Sequence, residues 1–240
     1  MAMFVAKTCG PLYEVEEFTR MLAGAEVNVA IGLKRLGHSV AYVTKLGTDP
    51  FGTYIENKLK SEGLDVQISK DEDHFTGYQL KGKVMEGDPE VFYYRRNSAA
   101  SCLSVEDIEK VDLEGARVLH ITGIPPALSK SCREATYRLI ERAREKDMLV
   151  SFDPNLRPTL WESQEVMIET INDIASKADI VLPGTAEGKI LMGSDKPEEI
   201  AEFYRKNGAK AVIIKAGGAG AYADWEDGKA FYPGYKVKEV

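Results

Sequence analysis

The stretch Val40-Ala-Tyr-Val-Thr-Lys-Leu46-Gly47-Thr48-Asp49-Pro50-Phe51-Gly52 decides the fold. Seven mostly apolar residues run into a glycine, as a buried strand does at its end. Asp49 is a good helix cap, and Pro50 suits the first helical position. A strand that passes straight into a helix is half of a βαβ unit. The same rhythm recurs outward from this point. Strands are expected at 40–46, 117–122, 148–153, 179–183 and 210–216. Helical periods fall between them at 25–36, 51–62, 131–146, 165–177 and 197–207, with Gly37, Gly63 and Gly208 where C-caps belong. Alternating strands and helices predict an α/β chain with a mainly parallel central sheet covered on both faces.

One stretch departs from the rhythm. Residues 75–97 alternate polar and apolar side chains on both sides of Met85-Glu-Gly-Asp-Pro89, which predicts a β-hairpin. Tyr78, Leu80, Val91 and Tyr93 lie on its faces. Such an insert is expected to project as a small separate sheet, either as a lid over a site or as a surface for a second subunit.

Composition narrows the function. The chain has 240 residues, 44% hydrophobic and 29% charged, with a formal net charge of −7. That balance disfavours nucleic acid and anionic membranes as partners, which need a basic face. Cys9, Cys102 and Cys132 form no CxxC pair, which points to ordinary thiols in a reducing, cytoplasmic setting. His38, His74 and His120 lack metal-ligand spacing; His38 reads as a surface residue and His120 as a strand residue. No basic segment followed by an apolar run opens the chain, and no run approaches the ~20 apolar residues of a membrane span. Internal repeats and low-complexity segments are not evident.

Open α/β sheets bind ligands beyond the carboxyl ends of their strands. Chemistry is therefore expected at 47–52, 123–126, 154–157, 184–187 and 217–220. Familiar phosphate motifs fail there. No GxGxxG follows a first strand, and Gly184-Thr-Ala-Glu-Gly-Lys189 falls one residue short of a P-loop. In Ala23-Gly-Ala-Glu-Val-Asn-Val-Ala30, small residues open a helix, so a ligand could approach the backbone at Gly24 and Ala25. Asn28 could then offer a donor and an acceptor to sugar hydroxyls, or it could be a satisfied core amide. Asp153, with Asn155 at the strand's end, suits orientation of Arg157 or a plain cap or turn. Glu187 opens a helix, where a carboxylate favours the dipole. Lys215-Ala-Gly-Gly-Ala-Gly220 suits a nucleotide or a simple turn.

Taken together, 23–30 and 46–52 resemble the first signature of the ribokinase-like (PfkB) carbohydrate kinases, and the similarity runs from about residue 23 to the end. Three further stretches resemble the 2-keto-3-deoxygluconate kinases within that family. They are Val91-Phe-Tyr-Tyr-Arg-Arg-Asn-Ser-Ala-Ala-Ser101, Asp153-Pro-Asn-Leu-Arg-Pro158 with Leu160-Trp161, and Leu182-Pro-Gly-Thr-Ala-Glu-Gly188. The resemblance implies one ribokinase-like three-layer α/β/α domain over 1–240 with a β lid at 75–97. It implies ATP and Mg2+ as co-substrate and cofactor, and a homodimer or higher oligomer through the lid. Gly24, Ala25, Asn28, Tyr78, Tyr93, Arg95 and Arg157 would hold a keto sugar acid, with Arg95 on its carboxylate. Asn155, Arg157, Lys215, Gly217, Gly218 and Gly220 would hold the nucleotide, with Arg157 assisting transfer. Glu187 would organise magnesium through water. A neutral sugar such as fructose or ribose, or an inactive sugar-binding role, are the alternatives. The family's second signature, Asp-Thr-x-Gly-Ala-Gly-Asp, carries the catalytic base and is expected just after Val240. The 240 residues by themselves are accordingly expected to bind poorly and to turn over negligibly.

Overall fold

The computed structural model describes residues 1–236. Two compact units form, Met1–Asp112 and a second from Leu113 onward.

The first unit contains β1 (Ala2–Ala6), β2 (Phe18–Leu22), α1 (Ala25–Arg35), β3 (Ala41–Gly47), α2 (Pro50–Ser61), β4 (Asp65–Asp71), β5 (Tyr78–Lys81), β6 (Val91–Tyr94) and α3 (Val105–Glu109). The opening stretch folds as its residues dictate, because β3 turns into α2 within a few residues. The Asp49 carboxylate accepts from the N–H groups of Phe51 (2.8 Å) and Gly52 (2.9 Å), which satisfies two orphan donors of the helix. Its other oxygen accepts from Thr76 N–H at 2.6 Å. Strand β3 pairs in parallel with β4, from Ala41 opposite Asp65 to Gly47 opposite Asp71. Val27, Ala30, Leu46, Ile55, Leu59 and Leu64, from α1, β3 and α2 and the loop after it, form the core against them.

Gly52 is required for the tight turn. A Cβ there would stand 2.1 Å from the carbonyl oxygen of Gly47 and 2.9 Å from Thr76 Oγ1. Gly52→Ala must push α2 off the end of β3 and is expected to destabilise by about 1–3 kcal/mol. Chemical denaturation of the two proteins checks this, and equal midpoints would remove the argument.

The hairpin forms, yet it is not a sheet of its own. β5 and β6 pair antiparallel, with Tyr78 opposite Tyr94 and Lys81 opposite Val91. On its other side β5 pairs in parallel with β1, and β1 pairs antiparallel with β2. The result is a four-stranded sheet in the order β2-β1-β5-β6. The expected lid is therefore half of a larger sheet, because the opening strand supplies a second edge for pairing.

The second unit contains β7 (Val118–Thr122), α4 (Pro125–Leu128), α5 (Lys130–Glu145), β8 (Leu149–Asp153), α6 (Gln164–Ser176), β9 (Ile180–Val181), α7 (Thr185–Met192), α8 (Pro197–Lys206), β10 (Ala211–Lys215), β11 (Gly220–Trp225) and β12 (Gly228–Pro233). Its six-stranded sheet runs β12-β11-β10-β9-β8-β7. Strands β7 to β10 are mutually parallel, as the alternation predicts, while β11 and β12 add an antiparallel hairpin at one edge. β9 is shorter than expected, since Pro183 has no N–H to continue the ladder. Pairing resumes after it only as a single bridge between Gly184 and Lys215. Val150, Phe152, Val181, Val212 and Ile214 are fully buried in this sheet. Helix α5 packs on β7 and β8, and α8 on β10 and β11. Among the described residues no helix is long and apolar enough to cross a membrane.

Candidate functional site

In the first unit, strand register gathers the predicted residues at one end of the four-stranded sheet. Leu22, Ala2, Tyr78 and Tyr94 form one row across β2, β1, β5 and β6. The next row outward is therefore Ala23, Met1, Gly77 and Arg95. Met1 and Ala23 exchange backbone hydrogen bonds there, and a Cβ on Gly77 would stand 3.3 Å from Arg95 Cβ. Strands about 4.8 Å apart put Ala23 and Arg95 roughly 14 Å from each other along this row. Helix α1 begins at the same row. Its N-cap, Gly24, has φ +154°, a conformation closed to ordinary side chains. Ala25 follows at the first helical position, and Asn28 lies one turn on and is exposed, which rules out the core-amide reading.

Arg95 follows the last residue of β6. It is 8% exposed, so it is not the surface arginine that a hairpin position suggests. Its guanidinium carbon sits 4.3 Å from the Tyr93 ring centroid, a cation–π contact. The alternation expected of Tyr93 and Arg95 holds. Tyr78, expected beside Tyr93, belongs to the opposite face. Its ring stacks on Tyr94 (4.8 Å, 10°) and tilts against Phe51 (5.7 Å). Tyr78, Tyr94, Phe51, Phe75, Asp49 and Thr76 line a mainly apolar cavity of about 370 Å³. A more open groove of about 580 Å³ runs along α2, lined by Arg20, Tyr54 and Lys58 among others, and includes no predicted site residue.

In the second unit the predicted residues follow the carboxyl ends of β8, β9 and β10. These strands are parallel, so those ends lie along one edge. Gly123, after β7, lets that edge close: a Cβ would meet Pro154 O at 2.1 Å. The Asp153 carboxylate accepts from Asn155 N–H (3.1 Å) and pairs with Lys215 Nζ (2.6 Å). Asn155 thus closes an Asx-type turn and takes φ +39°, which asparagine tolerates. The turn reading of Asp153 holds, and the same carboxylate fixes Lys215. Arg157 is exposed and donates to the carbonyl of Leu156 at 2.7 Å, so its guanidinium stays at the rim.

Glu187 clamps two loops. One carboxylate oxygen accepts from Leu156 N–H (2.8 Å) and the other from Gly184 N–H (2.6 Å). Both oxygens are therefore committed to backbone, and only their remaining lone pairs can meet a hydrated cation. This suits contact through water better than direct ligation. The glycines after β10 divide. A Cβ on Gly217 or Gly218 meets nothing within 4 Å, so that surface is open to a ligand. A Cβ on Gly220 would stand 2.0 Å from Tyr232 O, so Gly220 serves the β11–β12 hairpin. The base expected past Val240 lies outside the described residues.

One cluster was invisible to sequence spacing. Asp71, His74 and Cys102 bring a carboxylate oxygen, an imidazole nitrogen and a sulfur within 4.8 Å of one another. Burial pushes the Asp71 carboxyl up. Hydrogen bonds from the His74 ring and from the N–H groups of Asp73 and His74 outweigh that and hold it below the usual range.

Comparison with known proteins shows the family and the fold. The profile of the pfkB family carbohydrate kinases matches residues 1–240. The chain is 47% identical over 242 residues to the 2-dehydro-3-deoxygluconokinase of Bacillus subtilis (strain 168), covering all of this chain and 75% of that protein. It superposes on the PfkB protein of Polaromonas sp. JS666 with a TM-score of 0.94 and 47% identity, covering 99% of this chain and 81% of that one. It superposes on a sugar kinase of Pyrococcus horikoshii in complex with ATP with a TM-score of 0.81 and 26% identity, covering 99% and 76%.

Proposed function

Because the chain belongs to the pfkB family of carbohydrate kinases, we propose that it takes part in ATP-dependent phosphorylation of a keto sugar acid, with 2-keto-3-deoxygluconate going to its 6-phosphate. The observation that carries this reading is the whole-length identity of 47% to a relative named for that substrate, also called 2-dehydro-3-deoxygluconate. A buried arginine stacked on a tyrosine supports it, since a guanidinium fork matches a carboxylate and a neutral sugar has none to offer.

In this reading the two units are parts of one ribokinase-like domain. Arg95 takes the sugar's carboxylate, Tyr93 on the same face supplies an apolar wall with a hydroxyl tip, and Gly24, Ala25 and Asn28 hold its hydroxyls, while Tyr78, on the other face with Tyr94, is not part of that wall. Asn155, Lys215, Gly217 and Gly218 serve the nucleotide, with Gly220 shaping the loop beneath it. Arg157, exposed at the rim, steadies the transferring phosphoryl group. The sugar's terminal oxygen bonds to the γ-phosphorus, the bond to the β–γ bridging oxygen breaks, and ADP leaves. The hydroxyl proton passes to the base expected beyond Val240. Glu187 would hold the waters of a magnesium ion, which when bound would supply positive charge to offset that of the phosphates. The exposed side chains of Phe92 and Tyr94, on the face of β6 away from Tyr93 and Arg95, support a homodimer through the lid sheet, and the three free thiols support a cytoplasmic setting.

The test is an assay of the natural product carrying this chain, with ATP and Mg2+, against 2-keto-3-deoxygluconate, fructose and ribose. The sugar acid is expected to lead in kcat/KM by about 100-fold or more, near 2.7 kcal/mol of discrimination. Equal rates on all three would overturn the substrate assignment. Sedimentation at the monomer mass would remove the dimer.

A further inference from the structure

Asp71 at the end of β4, His74 in the loop after it and Cys102 at the end of the short 3₁₀ turn Ala99–Cys102 lie together, and none of the three has been given a role above. Asp71 ends β4, and its Oδ1 accepts from the N–H groups of Asp73 and His74, both at 3.0 Å. His74 Nδ1 lies 3.1 Å from each Asp71 oxygen, and Cys102 completes the set within 4.8 Å. From these residues we infer a binding site for one borderline-soft divalent cation of the zinc class, held by Asp71, His74 and Cys102.

Three arguments carry it. The donor set, one carboxylate, one imidazole and one thiol, suits zinc and cobalt, whereas magnesium selects oxygens alone. The spacing fits as well. Two ligands at ~2.0–2.1 Å from a tetrahedral ion stand about 3.3 Å apart, close to the 3.1 Å between His74 Nδ1 and Asp71. Cys102 needs a shift of about 1 Å or a rotation to reach ~2.3 Å from the same ion. Finally, the charges balance. Lys45 Nζ bridges Asp107 (3.0 Å) and Asp71 (3.9 Å), leaving two carboxylates against one ammonium. A divalent cation that displaces the Cys102 thiol proton to solvent brings the group to neutrality. The ion would brace the segment whose Thr76 is fastened to Asp49 and Gly47, just before β5 begins.

The experiment titrates Co2+ into the full chain in a Cys9→Ser background, which removes the exposed thiol. One equivalent is expected, with a cobalt–thiolate charge-transfer band, displaced by Zn2+ and unaffected by millimolar Mg2+. His74→Ala and Asp71→Asn are expected to weaken binding at least tenfold, and Cys102→Ser to abolish the band. Thermal unfolding without metal confirms that each variant is folded. Any variant that is not is replaced by His74→Gln. Absence of a one-to-one complex in the parent overturns the site. So does unchanged affinity in folded His74 and Asp71 variants.

Discussion

Replacing Asp179 by alanine is expected to lower the unfolding temperature by roughly 6–12 °C at pH 7. Asp179 is 3% exposed and stands at the head of β9, where three strands begin. Its Oδ2 accepts from Val150 N–H on β8 at 2.8 Å. Its carboxylate also pairs with Arg144 (2.8 Å) and Lys210 (2.9 Å). Alanine leaves the buried Val150 N–H without an acceptor, which costs about 1–3 kcal/mol. It also deprives two cations of their partner. Those side chains are 44% and 68% exposed, so water takes over much of that role. A total of about 3 kcal/mol follows, at the low end for a broken buried pair. Burial pushes the Asp179 carboxyl up, but the Val150 hydrogen bond and the two cations outweigh it, so its folded pKa is depressed. The sign follows from linkage. A depressed carboxylate stabilises fully above its unfolded value, ~3.9, and the contribution is lost as pH falls through the lower folded value. The gap between wild type and Asp179→Ala should therefore be full at pH 7 and shrink below about pH 4. Asp179→Asn keeps an acceptor for Val150 and should lose about half as much. A shift under ~2 °C, or a gap that widens on acidification, would show that the three strand ends are not tied through this carboxylate.

Where the sequence was legible, a local cause was at work. β3 and α2 could be read because an apolar run, a cap and a proline all sit within thirteen residues and agree with one another. The parallel strands β7, β8 and β10 announce themselves by continuous apolar content, since both faces are buried. β4, Asp-Val-Gln-Ile-Ser-Lys-Asp, has only two apolar side chains and no such signal, so it emerges from pairing with β3 rather than from composition. Register explains the misplaced tyrosine. Tyr93 and Arg95 share a face by strict alternation within one strand, which sequence shows directly. Which face Tyr78 takes depends on how β5 and β6 slide past each other across residues 82–90, and a slip of one residue exchanges the faces. The Asp71–His74–Cys102 cluster was illegible for a related reason. His74 and Cys102 lie far apart in the chain, and only the fold's return past β4 brings them together. Glu187 shows the opposite limit: its place in the first turn of a helix was plain, but its reach to Leu156 N–H was not.

The widest functional effect is expected from Arg95→Ala. If this guanidinium holds the carboxylate of the sugar acid, its removal leaves an anion in a site that no longer neutralises it. Truncating one partner of such a buried pair costs about 2–5 kcal/mol, so kcat/KM for 2-keto-3-deoxygluconate should fall by roughly 30- to 1000-fold or more. Arg95 is also packed, with its guanidinium over Tyr93, so a fall in activity by itself would not separate binding from folding. The separating quantity is the ratio between substrates. A neutral sugar has no carboxylate to lose, and its weak turnover should change by less than about threefold. Arg95→Lys keeps the charge but gives up the planar fork and the ring stacking, so it should recover only part of the loss. Equal losses for acid and neutral sugars would make Arg95 a support for the end of β6, and the acid specificity would then need another cation. A selective loss would tie the buried arginine at the end of the lid strand to the one group that sets a sugar acid apart.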